Sequence, residues 1–433
     1  MPSLLDRLSQ VTPPSVQYTN ISGWLLQFAG LGQCNSFGVF EDFYKAGYLS
    51  HFSSSTISWV GSTQLSLLFG LGIISGIYFD KGHFRTLMWS SAALLILSNF
   101  MLSITRQNQY YAVLLSQGIG MGTALGLSWT PMFGMIGHRF RRHRDLAFGL
   151  TASGAAFGAI VHPIMLDRLF SNPNIGFHNA VRINAGMNAI LVVVGTVLMT
   201  HASPPQKIAV VRGDMSLLHL FKDLPYVLFN FGLLCTQFGF LFPFAYLQLF
   251  SRTRGIPVKE AFYTLSIFNA AAVVGRLGSI LLPKRMHAVE ISCLASLGFS
   301  ACMFAYISAQ RFVDIVVVTS LVGIFSGAYF SYFVNSVASF ARSNTELGAR
   351  IGCSAFVVGE LASTITLYPP PHRFFQAIST LCAPPLLGLL LTNKFIWEGP
   401  IVFASLMAML SAGFFALSRA FQIRNLPRLE KMS

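Results

Sequence analysis

The sequence predicts an all-α membrane protein with twelve transmembrane helices in two six-helix halves. Three observations lead there. Of the 433 residues, 53% are hydrophobic and only 10% charged, where a soluble domain carries roughly 25% charged residues; so few charges cannot coat a soluble globule of this size. The apolar residues fall into runs long enough to cross a bilayer, which takes ~20 residues. The longest polar connection lies near the middle of the chain, at 202–223.

In chain order the spans are expected near 22–44, 56–79, 86–105, 109–137, 146–167, 181–201, 224–250, 259–282, 287–308, 312–340, 348–392 and 396–418. Each is apolar all round, the pattern of a helix in lipid rather than of an amphipathic surface helix. Residues 1–21 then form an amino-terminal tail, 22–201 the first half, 202–223 the central loop, 224–418 the second half and 419–433 a carboxy-terminal tail. Most Lys and Arg fall on the side of the bilayer shared by the two tails and the central loop. That bias puts both termini in the cytoplasm and fits an even number of spans. The first residues lack the apolar core of a cleaved signal peptide. The sequon at Asn20 is expected on the cytoplasmic side and therefore unused.

The net charge of +14 would suggest nucleic acid for a soluble protein. Here the basic residues sit between apolar runs, where topology and anionic lipid headgroups explain them, and no nucleic-acid partner is expected. The cluster Arg139, Arg141, Arg142, His143 and Arg144 has the same reading. The six cysteines lie in apolar stretches without a CxxC pair and read as small buried hydrophobes. There is no Gly-rich phosphate loop, nucleophile elbow or metal-ligand cluster. No enzyme activity and no cofactor are expected.

Several segments resemble the monocarboxylate-porter branch of the major facilitator superfamily, especially its fungal members. SFGVFEDFY (36–44) and ISWVGSTQLSLLFGLG (57–72) are similar to its first two spans. GIYFDKGHFR (76–85) resembles its loop between spans two and three, and SQGIGMGTALGLSWTP (116–131) its span four. FYTLSIFNAAAVVGRLG (262–278) and SGAYFSYFVNSVASF (326–340) resemble spans eight and ten. The resemblance implies the major facilitator fold and a secondary transporter of a small organic anion, working by alternating access at the interface between halves. A plasma-membrane location with both termini inside goes with it. The alternative is an exporter of a fungal secondary metabolite, and a third reading is a non-transporting sensor or a decayed gene product. The expected partners are a small organic acid or secondary metabolite and the lipid bilayer; the oligomeric state stays open.

Arg276 is the one basic residue expected within a span. An intramembrane charge is costly and tends to face a cavity, although a snorkelling arginine is the bland reading. It resembles the span-eight arginine that meets the substrate carboxylate in the family, a role that suits a planar, permanently charged guanidinium. Asn269 is seven residues away and shares its helix face. Asn35, Gln237 and Asn335 are further intramembrane polar candidates, each also explicable as a helix–helix hydrogen bond. Asp80, Lys81 and Arg85 either gate the cytoplasmic mouth, as the resemblance implies, or form a solvated turn. Ala272 stands where animal members carry an aspartate linked to proton coupling, and their first-span lysine has no counterpart. His162, beside Pro163, either senses pH or makes a structural hydrogen bond. Gly118, Gly122 and Gly126 read as a close-packing face.

Two places depart from the pattern. Residues 360–376, with three consecutive prolines followed by His372 and Arg373, cannot continue a transmembrane helix. They read as an in-frame insert of intronic origin or as a re-entrant or outer loop. The first span, read from Trp24, is shorter than the family's, which would disturb the wall of a transport path.

Overall fold

The computed structural model describes residues 14–140, 144–201, 223–279, 286–341, 350–351, 353–354 and 397–429. Regular structure among them is entirely helical. They divide into two compact units, Met1–Val211 with Ser343–Gly352 and Arg212–Arg342 with Cys353–Ser433.

In the first unit, span one is built from α1 (Pro14–Ala29), α2 (Leu31–Cys34), α3 (Phe37–Phe43) and a π-helical stretch, Tyr44–Tyr48. Span two is α4 (Ser54–Gly70) and α5 (Gly72–Asp80), and span three is α6 (Phe84–Leu102). Span four combines α7 (Tyr110–Val113), π-helical Leu114–Met121 and α8 (Gly122–Arg139). Spans five and six are α9 (Arg144–Phe170) and α10 (Gly176–His201). The second unit holds α11 (Leu224–Thr253), α12 (Val258–Ser279), α13 (Ala288–Ala305), α14 (Phe312–Ala338) and α15 (Glu398–Leu429). These supply spans seven to ten and span twelve. Span eleven, expected over 348–392, falls almost wholly outside the described residues, as do 360–376 and the central loop up to residue 222.

Among the described residues, nine helices are long and apolar enough to cross a membrane. Spans one and four are not among these nine; the helix of span one is interrupted at Gly30 and at Asn35–Ser36, and span four contains the π-helical stretch Leu114–Met121.

In span one, helix begins at Pro14 rather than at residue 22, because Thr19, Asn20 and Ser22 are buried and bonded rather than solvated. Asn20 Nδ2 donates to Ala147 O at 3.1 Å, and Arg139 donates to the Thr19 hydroxyl. Part of the stretch expected as a tail is therefore packed helix. The basic cluster also does more than set topology: Arg144 Nε donates to Gly137 O at 3.0 Å, satisfying a carbonyl at the end of α8 that has no intrahelical donor.

The same pairing of helices recurs in both units. Span one packs on six, two on four, and three on four and six; α11 packs on α15, α12 on α14, and α13 on α14 and α15. This repeat is what two homologous six-helix halves require. Close approach of backbones makes the pairings possible. A side chain at Gly122 or Gly126 would meet the backbone of Gln64 or Leu67, so the glycine face in span four is a packing surface. In α12 and α14, a side chain at Gly275 would strike the Ile324 carbonyl, and one at Gly327 the Ala272 carbonyl.

At the start of α13, His287 Nδ1 accepts from Val289 N–H at 3.4 Å, while Glu290 accepts from His287 N–H at 3.1 Å. Glu290 also accepts from Arg419 Nε of α15 at 2.8 Å. Burial, with the Arg419 guanidinium beside it, holds His287 below the usual imidazole pKa.

Two outcomes are expected. Gly327→Leu separates α12 from α14 and lowers stability by about 1–3 kcal/mol, the cost of overpacking, read as a fall in melting temperature in detergent. For His287, the unfolded chain binds a proton below about pH 6.5 that the folded chain does not. Its contribution is complete above that pH and is lost as pH falls towards the folded value. His287→Ser, a cap that does not titrate, therefore loses less stability than wild type when pH is lowered from about 7 to 5.

Candidate functional site

Arg276 lies on the last turn of α12 and is only 8% exposed. Its guanidinium sits over the Phe330 ring of α14, 5.5 Å from the centroid, a geometry in which the ring face stabilises the cation. The backbone beneath it is pinned to α14. Ser331 Oγ donates to Arg276 O at 3.2 Å, and Tyr332 Oη donates to Ser279 O at 3.1 Å. Ser279 Oγ adds a bond to Arg276 O at 3.0 Å. These hydroxyls satisfy carbonyls that the end of a helix leaves without partners. The close α12–α14 crossing and this set of bonds place a buried cation on a rigid backbone.

Asn269 is buried on the same helix, two turns away, and its Nδ2 donates to Leu265 O at 2.9 Å. Ala272 lies between them, 2% exposed and against Gly327. Asn335 is half-buried on α14, one turn after Ser331 and on the same face. Gln237 is half-buried on α11. The second unit thus collects Arg276, Asn269 and Asn335 on the adjoining helices α12 and α14.

The remaining candidates belong to the first unit. Asn35 sits at the second break of span one, where Nδ2 donates to Leu31 O at 3.0 Å. Asp80, Lys81 and Arg85 share the α5–α6 connection, which Gly82 turns with φ of 88°. Lys81 and Arg85 are exposed, and Lys81 Nζ lies 5.8 Å from the Tyr78 ring centroid.

Two features escaped the sequence reading. Arg350, counted among the cytoplasmic-side cations at the start of the expected span 348–392, is buried at 1% exposure; its position beside the apolar run 351–358 was the available signal. The buried amides Gln33, Asn99 and Asn188 are hydrogen-bonded to one another, and single polar residues in apolar runs do not disclose which ones meet. Among the described residues, no group of His, Cys, Asp and Glu could hold a metal ion.

A profile of the Major Facilitator Superfamily matches residues 24–367. The aspyridones efflux protein of Emericella nidulans is 30% identical, over 84% of this chain and 70% of its own. The agnestins efflux protein of Paecilomyces divaricatus is 27% identical over 94% of this chain and 89% of its own. Among solved structures, the transporter FucP in its outward conformation superposes with a TM-score of 0.71 at 14% identity, covering 93% of this chain and 99% of that one. The proton:xylose symporter XylE gives 0.69 at 12% identity, covering 92% and 94%. At such identities the structural likeness concerns the fold alone.

Removing the Ser331 hydroxyl tests how far the site depends on the pinned end of α12. Ser331→Ala is expected to lower stability by about 1 kcal/mol, the net worth of one such bond, measured as a melting-temperature shift in detergent.

Proposed function

This chain belongs to the Major Facilitator Superfamily, and from that premise we propose that it exports a secondary metabolite of the kind made by fungi. The observation that carries this reading is the likeness to two relatives named as efflux proteins for such compounds, over most of this chain and most of theirs. It favours the exporter over the small monocarboxylate carrier that the sequence motifs suggested. It also agrees with Ala272 standing where an aspartate would be expected for proton–monocarboxylate symport.

In this reading Arg276 meets an anionic or strongly polarised oxygen of the metabolite, held in place by its contact with Phe330. Asn269 and Asn335 supply polar contacts from the same pair of helices, and Gln237 and Asn35 are secondary contributors. Phe240, Tyr329 and Phe330 form a mutually packed aromatic group in the second unit, a surface suited to a conjugated ring system. Asp80, Lys81 and Arg85 act at the cytoplasmic gate. The protein works in the plasma membrane with both termini inside, and alternating access is powered by an ion gradient.

The test uses yeast cells expressing the chain and preloaded with an aspyridone, with labelled lactate as the comparison. Faster loss of the aspyridone than from vector cells, with lactate flux unchanged, is expected. Arg276→Lys keeps the charge but loses the planar fork and its ring contact, and the excess efflux should fall at least about tenfold, or ~1.4 kcal/mol, at equal surface expression. Unchanged aspyridone retention with accelerated lactate flux would return the assignment to the monocarboxylate reading.

A further inference from the structure

The first unit contains a chain of buried side-chain hydrogen bonds that reaches across four spans. Asn99 Nδ2 on α6 donates to Leu95 O at 2.9 Å. Asn99 Oδ1 accepts from Gln33 Nε2 on α2 at 2.7 Å. Gln33 Oε1 accepts from Asn188 Nδ2 on α10 at 3.0 Å. Asn188 Oδ1 then faces Nε2 of His162 on α9 at 3.1 Å, and the other ring nitrogen, Nδ1, faces Gly158 O at 2.9 Å. All four side chains are at least 95% buried.

The direction of this chain is not a free choice. Carboxamide O and N can be exchanged by a flip, but a backbone carbonyl can only accept. Leu95 O therefore fixes Asn99 with its NH2 towards the carbonyl. That turns Asn99 Oδ1 towards Gln33, which must donate; Gln33 Oε1 then requires a donor from Asn188, and Asn188 Oδ1 is left pointing at His162. Flipping all three amides would set Asn99 Oδ1 against Leu95 O. Both nitrogens of His162 thus face oxygen acceptors, and a neutral imidazole has only one N–H to give. The imidazolium has two.

The surroundings fit that species. The Phe28 ring of α1 lies 5.0 Å from the imidazole centroid, within the range of a cation–π contact. Gly154 and Gly158 allow the backbone of α1 to touch α9, at Trp24 and Phe28, and His162 follows at the same four-residue spacing on the same face. The histidine is thereby set into the crossing of the two helices. Among the described residues, no charged side chain bonds the ring. The ionisable groups that α1, α2, α3, α8 and α10 carry, Tyr18, Cys34, Glu41, Asp42, His138, Arg139, His178, Arg182 and His201, make no hydrogen bond to it, nor do Arg144, Asp167 and Arg168 of α9.

We propose that His162 is a proton-binding site of the first unit, and that Asn188, Gln33 and Asn99 form a relay tying its charge to spans one, three and six. Binding takes one proton from water onto the ring and adds one positive charge to the unit; release returns both. With the proton bound, each contact along the relay joins a donor to an acceptor. When it leaves, one ring nitrogen faces an oxygen without a hydrogen between them, and the amides must rearrange or the helices must part. Proton occupancy therefore acts on the packing of α1, α6, α9 and α10, the elements that a change of conformation would move.

Solid-state NMR of the whole protein in lipid tests this without any transport substrate, so its failure is distinct from failure of the export reading. Carbonyl-13C valine with 13C,15N-histidine singles out His162, because Val161–His162 is the only Val–His pair in the sequence. On titration from about pH 8 to 5, the ring is expected to pass to a state with both nitrogens protonated. The Asn188 side-chain amide should shift with the same midpoint, and Asn99→Ser, remote from the ring, should move that midpoint by about half a unit or more. A ring with one protonated nitrogen throughout the range would overturn the proton site. A titrating ring with a stationary Asn188 amide would overturn the relay.

Discussion

Lipid offers no hydrogen bonds, and every polar group that enters the bilayer must find its partner within the protein. Most of the architecture follows from that one requirement. Helices satisfy their own backbones, but helix breaks, helix ends and polar side chains do not, and each is answered by a neighbour brought very close. Gly275 and Gly327 let α12 and α14 meet at backbone distance, and only at that distance can Ser331 reach the carbonyl of Arg276. In the other unit, Gly154 and Gly158 bring α9 onto α1. Small residues thus do two things at once: they supply the packing that holds helices together in the absence of a hydrophobic drive, and they place hydroxyls and amides where carbonyls need them.

The buried ionisable groups take their meaning from these crossings. A guanidinium in a span is expensive unless its surroundings are arranged for it. Arg276 is supported by an aromatic face and by a backbone that cannot slide. His162 occupies the corresponding kind of place in the first unit, set into a glycine-lined crossing and joined to three amides. One unit therefore offers a fixed cation suited to an anionic group, and the other a basic ring linked to the packing of its helices. That division suits a carrier that couples a bound organic molecule to a proton.

Much of this was legible in the sequence. The apolar runs gave the number and order of the helices in the first half, the four-residue glycine spacing gave a packing face, and Arg276 stood out as a basic residue well inside an apolar run. What was hidden has physical reasons. Span one starts at Pro14 because Thr19 and Asn20 are satisfied by α8 and α9; a window of hydropathy counts them as polar and trims the helix. The burial of Arg350 depends on neighbours that a linear pattern does not show. The amide relay joins residues up to 155 positions apart, so no local pattern could reveal it. The motifs marked the superfamily but left the cargo open between an organic anion and a secondary metabolite, and relatives named as efflux proteins favour the second.

The most direct measurement is flux through the purified protein in sealed proteoliposomes, with an aspyridone inside and a pH gradient imposed across the membrane. The account predicts gradient-driven movement of the aspyridone that Arg276→Lys removes while the protein stays folded. Movement of lactate in its place, or equal flux from protein-free vesicles, would contradict it.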